Sequence, residues 1–402
     1  MSTSETTTVN LAPPASLATV RNRALIVGVI AGIATAIGAF VNFEQFMRGY
    51  LFGYLWVLGI SLGSLALLMT GHLTGGNWWM LSRRVFEAAA KCLPMLAVLF
   101  LPILFGAKKL YAWMSIDPKT DHVLAEKAWW LNHPEWIVRA IIYFVLWIGI
   151  TFLLTRLSAR QDEDADPNIW RRMKVISGIG ILIWAWTLTF AVVDWGMSLD
   201  PHWFSTIYGM VFMAGQGLSA FAFAILVLSS LSKYSPMDEV FLPDRIHDLG
   251  KLVLAFTMVW AYFSFSQWLI IWMANLPEEI EWYLHRITHG WGGVALALII
   301  GQFALPFAML LSRNLKRHAS KLVPVAALVI IMRLVDIYWY IVPNPLPGQQ
   351  PPAFVIHWVY ITAPIALGGL WLGAFAAYLS KRPLLVRNEP MLPRLWESGH
   401  GH

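Results

Sequence analysis

Cysteine is nearly absent: the 402-residue chain holds one, Cys92. A single thiol excludes an internal disulfide framework, a four-cysteine iron–sulfur cluster and a cysteine-built zinc site, so any such centre would belong to a partner. Charge is scarce as well, at 13% of residues against 58% hydrophobic, with 22 Trp and 22 Phe. That balance excludes an ordinary soluble globular domain and defines a polytopic membrane chain, with the lipid bilayer as its first partner. The net charge of +6 would point to nucleic acid if the basic residues shared one surface. They lie instead in short loops between apolar runs, where membrane topology accounts for them, and no nucleic-acid partner is implied.

What fills the sequence is long apolar runs. Residues 252–274 carry no formal charge over 23 positions, more than the roughly 20 residues a helix needs to cross about 30 Å of hydrocarbon. Thr257, Ser264 and Gln267 fall along one side of this run, and a polar stripe in lipid must face protein or water. Beyond it, Pro277 and the carboxylates of Glu278, Glu279 and Glu281 mark the aqueous boundary. Comparable runs recur near 24–41, 51–71, 85–106, 137–155, 175–193, 205–231, 290–312, 322–342 and 354–380. The expected fold is therefore an all-α integral membrane protein of ten transmembrane helices, spanning 21–382 between a disordered cytoplasmic tail (1–20) and a second cytoplasmic tail (383–402). Arg21 and Arg23 ahead of the first run resemble a signal peptide, but the run is long and Asn42-Phe43-Glu44 offers no small-residue cleavage site. It is expected to be retained.

With the N-terminus and alternate loops assigned to side A, 20 of the 29 Lys and Arg fall there and 6 on side B, the remaining Lys91, Arg139 and Arg333 lying within spans. The positive-inside rule makes side A cytoplasmic, with both termini on it. Side B carries the longest loop, 107–135, where Trp113, Trp129 and Trp130, with Trp136 just after, suit an interfacial belt or a docked partner. On side A the acidic turn 161–167 is flanked by Arg156, Arg160, Arg171, Arg172 and Lys174 and reads as a solvated loop. A faint repeat relates Arg84-x-x-Glu87-x-x-x-Lys91, opening span 3, to Arg245-x-x-Asp248-x-x-Lys251, opening span 7. It implies two parallel four-helix bundles, spans 2–5 and 6–9, with spans 1 and 10 outside them.

Two phrases carry a resemblance: Ser264-Phe265-Ser266-Gln267-Trp268-Leu269-Ile270-Ile271-Trp272 followed by Asn275-Leu276-Pro277-Glu278-Glu279-Ile280-Glu281-Trp282-Tyr283, and Asp194-Trp195-x-x-Ser198-Leu199-x-Pro201-x-Trp203. With ten spans, these resemble the NrfD/PsrC-type quinol-interacting membrane subunits over nearly the whole chain, most of all the F-type subunit of bacterial alternative complex III, a quinol:cytochrome c oxidoreductase. The resemblance implies a bacterial inner-membrane complex with iron–sulfur and multihaem cytochrome c subunits and a second NrfD-like membrane subunit. It also implies menaquinol or ubiquinol at the level of the complex, no cofactor bound by this chain, and a scaffold and proton-conducting role. The quinol pocket of such complexes is attributed mainly to the sister subunit, so no quinone-binding residue is assigned.

Quinol oxidation releases protons with its electrons, and a subunit serving it needs titratable groups at successive depths. Near side A are Glu87 and Lys91, four apart on one helix face, and His247, Asp248 and Lys251; the plainer alternative is an interfacial ion pair. At mid-span Arg333 and Asp336 lie three apart, eleven apolar residues beyond Lys321, and read either as a proton-route element or as a buried pair fixing helices. Near side B are Asp194, Arg139 and His289, with an end cap the alternative for Asp194. Haem ligation is disfavoured because His72, His202, His289 and His357 sit at span ends and His247 and His285 near loops. His400 and His402 at the C-terminus have no evident supporting partners for a metal. Tyr338, Trp339 and Tyr340 read as interfacial belt or as a quinone-stacking surface. A secondary transporter and a directly quinol-binding subunit are the two alternative functions.

Overall fold

A computed structural model describes residues 11–390 and 392, and among them there are helices and loops but no strand. The chain is an all-α, multi-pass membrane protein. Helices α1 (Ser16–Val41) and α2 (Phe43–Thr74) meet at one non-helical residue, Asn42, whose side chain accepts from the backbone N–H of Gln45 at 3.1 Å and so caps the returning helix. The third crossing is broken into α3 (Asn77–Ala90), α4 (Leu93–Leu99) and α5 (Leu101–Leu110), bent by 53° near Phe100; Pro94 and Pro102 at the starts of α4 and α5 cannot donate to a continuous ladder. After a short α6 (His122–Lys127), α7 (His133–Glu163) and α8 (Pro167–Trp195) form an antiparallel pair, followed by α9 (Tyr208–Leu231) and the short α10 (Met237–Val240). Then come α11 (Pro243–Ala274), an amphipathic α12 (Pro277–Ile287), α13 (Trp291–Leu298), a π-helical turn (Ile299–Ala304), α14 (Leu305–Leu311), α15 (Arg313–Arg317), α16 (Ala319–Ile341) and α17 (Val359–Leu379). Among the described residues nine helical segments are long and apolar enough to cross a membrane, and the bent α3–α5 unit supplies a tenth crossing when taken as one span.

The helices outrun the apolar runs that announced them. A run marks hydrocarbon, whereas a helix persists through the interface until a cap or proline ends it. Thus α7 starts at its Asn132 cap and α8 at its Asp166 cap, each side chain accepting a backbone N–H. Helix α1 likewise begins at Ser16, inside the segment expected as a tail, and Leu11 accepts from the backbone N–H of Leu384 at 3.0 Å. The expected C-terminal tail is also partly folded: Leu384, Leu385 and Val386 are buried. Residues 1–10, 391 and 393–402, including His400 and His402, lie outside the described residues.

At the centre stand α2 and α9, with 94% and 83% of their apolar windows buried inside the protein. They contact each other, and between them they touch α3, α8, α11, α16 and α17, so α17, expected outside the bundles, packs on the central α2. The outer helices α1 and α17 form the most extensive pair in the molecule. The buried stripe of α1 is mostly small, with Ala24, Gly28, Ala31, Thr35 and Gly38 at alternating spacings of three and four. Backbones meet there: a Cβ on Gly28 would sit 2.7 Å from the amide nitrogen of Leu370, and one on Gly369 would sit 2.6 Å from the Gly28 Cα. Close small-residue crossings of this kind drive helix association where lipid removes the hydrophobic contribution.

Candidate functional site

Three clusters of buried charge lie at three depths. On side A, Glu87 of α3 is 4% exposed and accepts from Arg83 Nε at 3.0 Å, Arg84 Nη1 at 2.7 Å and Ser158 Oγ of α7 at 2.6 Å. Arg83 also binds Gln161 and, at 2.7 Å, Glu389 from the C-terminal segment, and Arg84 binds Asp162 at 2.5 Å. The C-terminal segment therefore closes the side-A end of the bundle with a buried carboxylate. The expected Glu87–Lys91 pair does not form: Lys91 is half-buried beside Tyr378 and Arg382, and the arginines three and four positions before Glu87 take its oxygens. At the entrance to α11, Asp248 and Lys251 make a half-exposed pair at 3.2 Å. His247 is half-buried beside them.

The middle cluster joins α16, α11 and α9. Arg333 and Asp336, each 2% exposed, pair through Nη1 and Oδ2, and Trp260 Nε1 of α11 donates to the same Oδ2 at 3.3 Å. Spacing of three puts both side chains on one face of α16, and that face turns inward as the cost of exposing charge to lipid requires. Gly215 of α9 makes room: a Cβ there would lie 2.0 Å from Arg333 Nη2. Along α16, Arg333 stands about 21 Å from Ala319 and about 12 Å from Ile341 at the helical rise, within the span and toward side B. In the adjacent π-helical turn, Gln302 is fully buried with neither amide atom bonded to protein.

On side B, the fully buried Asp194 at the end of α8 receives Arg139 through both oxygens, Nε to Oδ2 at 2.8 Å and Nη2 to Oδ1 at 2.9 Å. Tyr143 Oη donates to Oδ2 at 2.8 Å and Trp130 Nε1 to Oδ1 at 2.9 Å, with the Arg139 guanidinium 4.1 Å from the centre of the Trp130 ring. A bidentate fork plus two neutral donors satisfies a carboxylate held out of water. Asp194 is thus more than an end cap, although its backbone carbonyl does accept from Ser198 Oγ at 2.6 Å. His289 does not join it; it lies exposed at the turn before α13, with φ +50°, and its ring contacts Thr288.

The tryptophans of the side-B loop correct the belt expectation. Trp113 and Trp136 are buried, Trp130 serves Asp194, and of the four only Trp129 is largely exposed, at 73%. Trp339 and Tyr340 are also buried, packed on Trp282, while Tyr338 is half-buried against Phe52 and Trp291. Beside that packing, Arg286 of α12 is fully buried, its guanidinium 3.4 Å from the centre of the Trp282 ring and donating to the Tyr340 carbonyl and Asn344 Oδ1. Burial lowers its guanidinium to about 9, which leaves it charged at neutral pH.

Sequence reasoning missed Arg83, Tyr143, Gln302 and Glu389. Arg83 and Tyr143 carried a usable signal, since each lies one helical turn from a residue already singled out. Among the described residues no group of three or more His, Cys, Asp or Glu side chains is arranged to hold a metal ion. Among the described residues the structure defines a helical membrane protein of nine or ten candidate crossings with charge buried at three levels. No protein-family model matches the chain, and no curated protein matches it in sequence.

Proposed function

We propose that the chain is an integral membrane subunit of a quinol-oxidising respiratory complex of the alternative complex III type, acting as scaffold and as a route for protons. In this reading it sits in a bacterial inner membrane with both termini cytoplasmic, beside iron–sulfur and multihaem cytochrome c subunits and a second NrfD-like subunit. The observation that carries the proposal is the enclosed Arg333–Asp336–Trp260 cluster, at a depth between those of the Glu87 cluster on side A and the Asp194 cluster on side B. Ionisable groups within a span are costly and are retained where they pair, conduct or bind.

Transport through paired broken helices fits less well. The bend in the third crossing and the π-helical turn in the eighth fall at positions that a four-span repeat does not relate, and α11, the counterpart of the third crossing, is continuous over 32 residues. Direct quinol contact is favoured by one observation, a cavity of about 330 Å³ lined in part by Phe190, Trp203, Phe204 and Trp130, the last of which bonds Asp194. Affinity purification of the tagged chain from its native membrane tests the main proposal. Haem-staining and iron–sulfur subunits should accompany it in fixed proportion; a chain that elutes alone, with transport activity, would overturn it.

A further inference from the structure

The side-A ends of α7 and α8 form an open groove that the proton-route reading leaves unused. On α7, Leu153, Arg156, Leu157 and Arg160 share one face, spaced by three, one and three. Opposite them on α8, Asn168, Arg171, Arg172, Val175 and Ile176 do the same. Because the helices are antiparallel, the four guanidiniums gather at the aqueous end while Leu153, Leu157, Val175 and Ile176 wall the membrane end. The groove encloses about 540 Å³. All four arginines are exposed, and none makes an ion pair among the described residues. The neighbouring acidic turn makes no ion pair with them: Asp162 is taken by Arg84 and Arg382, and Glu163, Asp164 and Asp166 keep their charge without a contact to any of the four guanidiniums.

The geometry points to a binding site for an anionic phospholipid bearing two phosphates, a lipid of the cardiolipin class. Four guanidiniums outside any ion pair allow two to face each phosphodiester, and each planar fork can bind phosphate oxygens bidentately. The position, at the end of two membrane helices with aliphatic walls below, places headgroup and acyl chains where a bilayer lipid already has them. A positive-inside signal alone needs basic residues in the loop; it does not need them on two facing helix surfaces above a shared apolar groove.

Native mass spectrometry of the full-length chain in detergent, titrated with tetraoleoyl cardiolipin, dioleoyl phosphatidylglycerol and dioleoyl phosphatidylcholine, tests the assignment. One cardiolipin should be retained more tightly than either other lipid. The paired substitution Arg156→Gln/Arg172→Gln should weaken retention about 30-fold, on the basis of about 1 kcal/mol for each basic residue facing an anionic headgroup. All four side chains are exposed, so folding should survive. Arg171→Gln/Arg172→Gln offers a second variant, and Arg21→Gln/Arg23→Gln, on α1, should leave retention unchanged. Cardiolipin held no more tightly than phosphatidylglycerol, or glutamine pairs that change retention less than threefold, would overturn the proposal.

Discussion

Replacing Asp336 by Asn keeps the shape and the acceptor for Trp260 Nε1 but leaves Arg333 enclosed without its counter-charge. Breaking a buried ion pair on one side costs about 3–5 kcal/mol in proteins generally, and an uncompensated arginine near the middle of a span costs about 2.5–3.5 kcal/mol on insertion scales. The two estimates overlap near 3 kcal/mol, a roughly 150-fold shift toward the unfolded chain. Arg333 has little escape, because α9 crosses at Gly215 against its guanidinium and the nearer end of α16 is about 12 Å away. Reversible unfolding of the purified chain in mixed micelles should therefore show Asp336→Asn destabilised by about that amount. The double variant Arg333→Gln/Asp336→Asn should recover about 2 kcal/mol, since no charge is left to strand. If Asp336→Asn costs under about 0.5 kcal/mol, or the double variant is no better than the single ones, the pair does not hold these helices together and the reasoning fails.

At the side-B cluster, Asp194→Asn should destabilise the chain by about 3 kcal/mol because it leaves Arg139 only the largely exposed Glu135, at 3.8 Å, as counter-charge, and Tyr143→Phe by only about 1 kcal/mol because it removes one neutral donor; thermal unfolding in detergent ranks them, and the reverse order would count against the network. From the 20-to-6 distribution of basic residues, a reporter fused after Arg394 should be cytoplasmic and one inserted within 347–350 periplasmic. Finding both on one side would remove the ten-crossing topology.

The crossings were legible because hydrocarbon imposes a window of about 20 residues that few other constraints imitate. The inward face of Arg333 and Asp336 was legible for a related reason, helical spacing combined with the cost of charge in lipid. Partners were much less so. Glu87 and Lys91 have ideal spacing, yet Arg83 and Arg84 lie on the same helix at competing spacings and α7 brings Ser158 to the same carboxylate, which no single-helix pattern contains. His289 was grouped with Asp194 by depth, and depth along a membrane normal says nothing about lateral position. Trp130 carries the amphipathic character of a belt residue, but its indole N–H is spent on a buried carboxylate that sits 64 residues later in the chain. The contribution of Glu389 was hidden because a polar C-terminal segment reads as a tail until its fold back onto Arg83 is seen. The α1–α17 seam rests on small residues of α1 that a reading by apolar runs passes over, and only the structure names its partner.

The central claim, that charge enclosed in this chain carries protons released or taken up by quinol oxidation, is tested most directly by proton stoichiometry. The assembled complex containing Arg333→Gln/Asp336→Asn is reconstituted in liposomes, and protons moved per quinol oxidised are measured beside the unmodified complex. A variant that assembles and oxidises quinol but moves fewer protons is the expected result. Normal assembly with unchanged stoichiometry would contradict the account and leave the pair as a structural tie between helices.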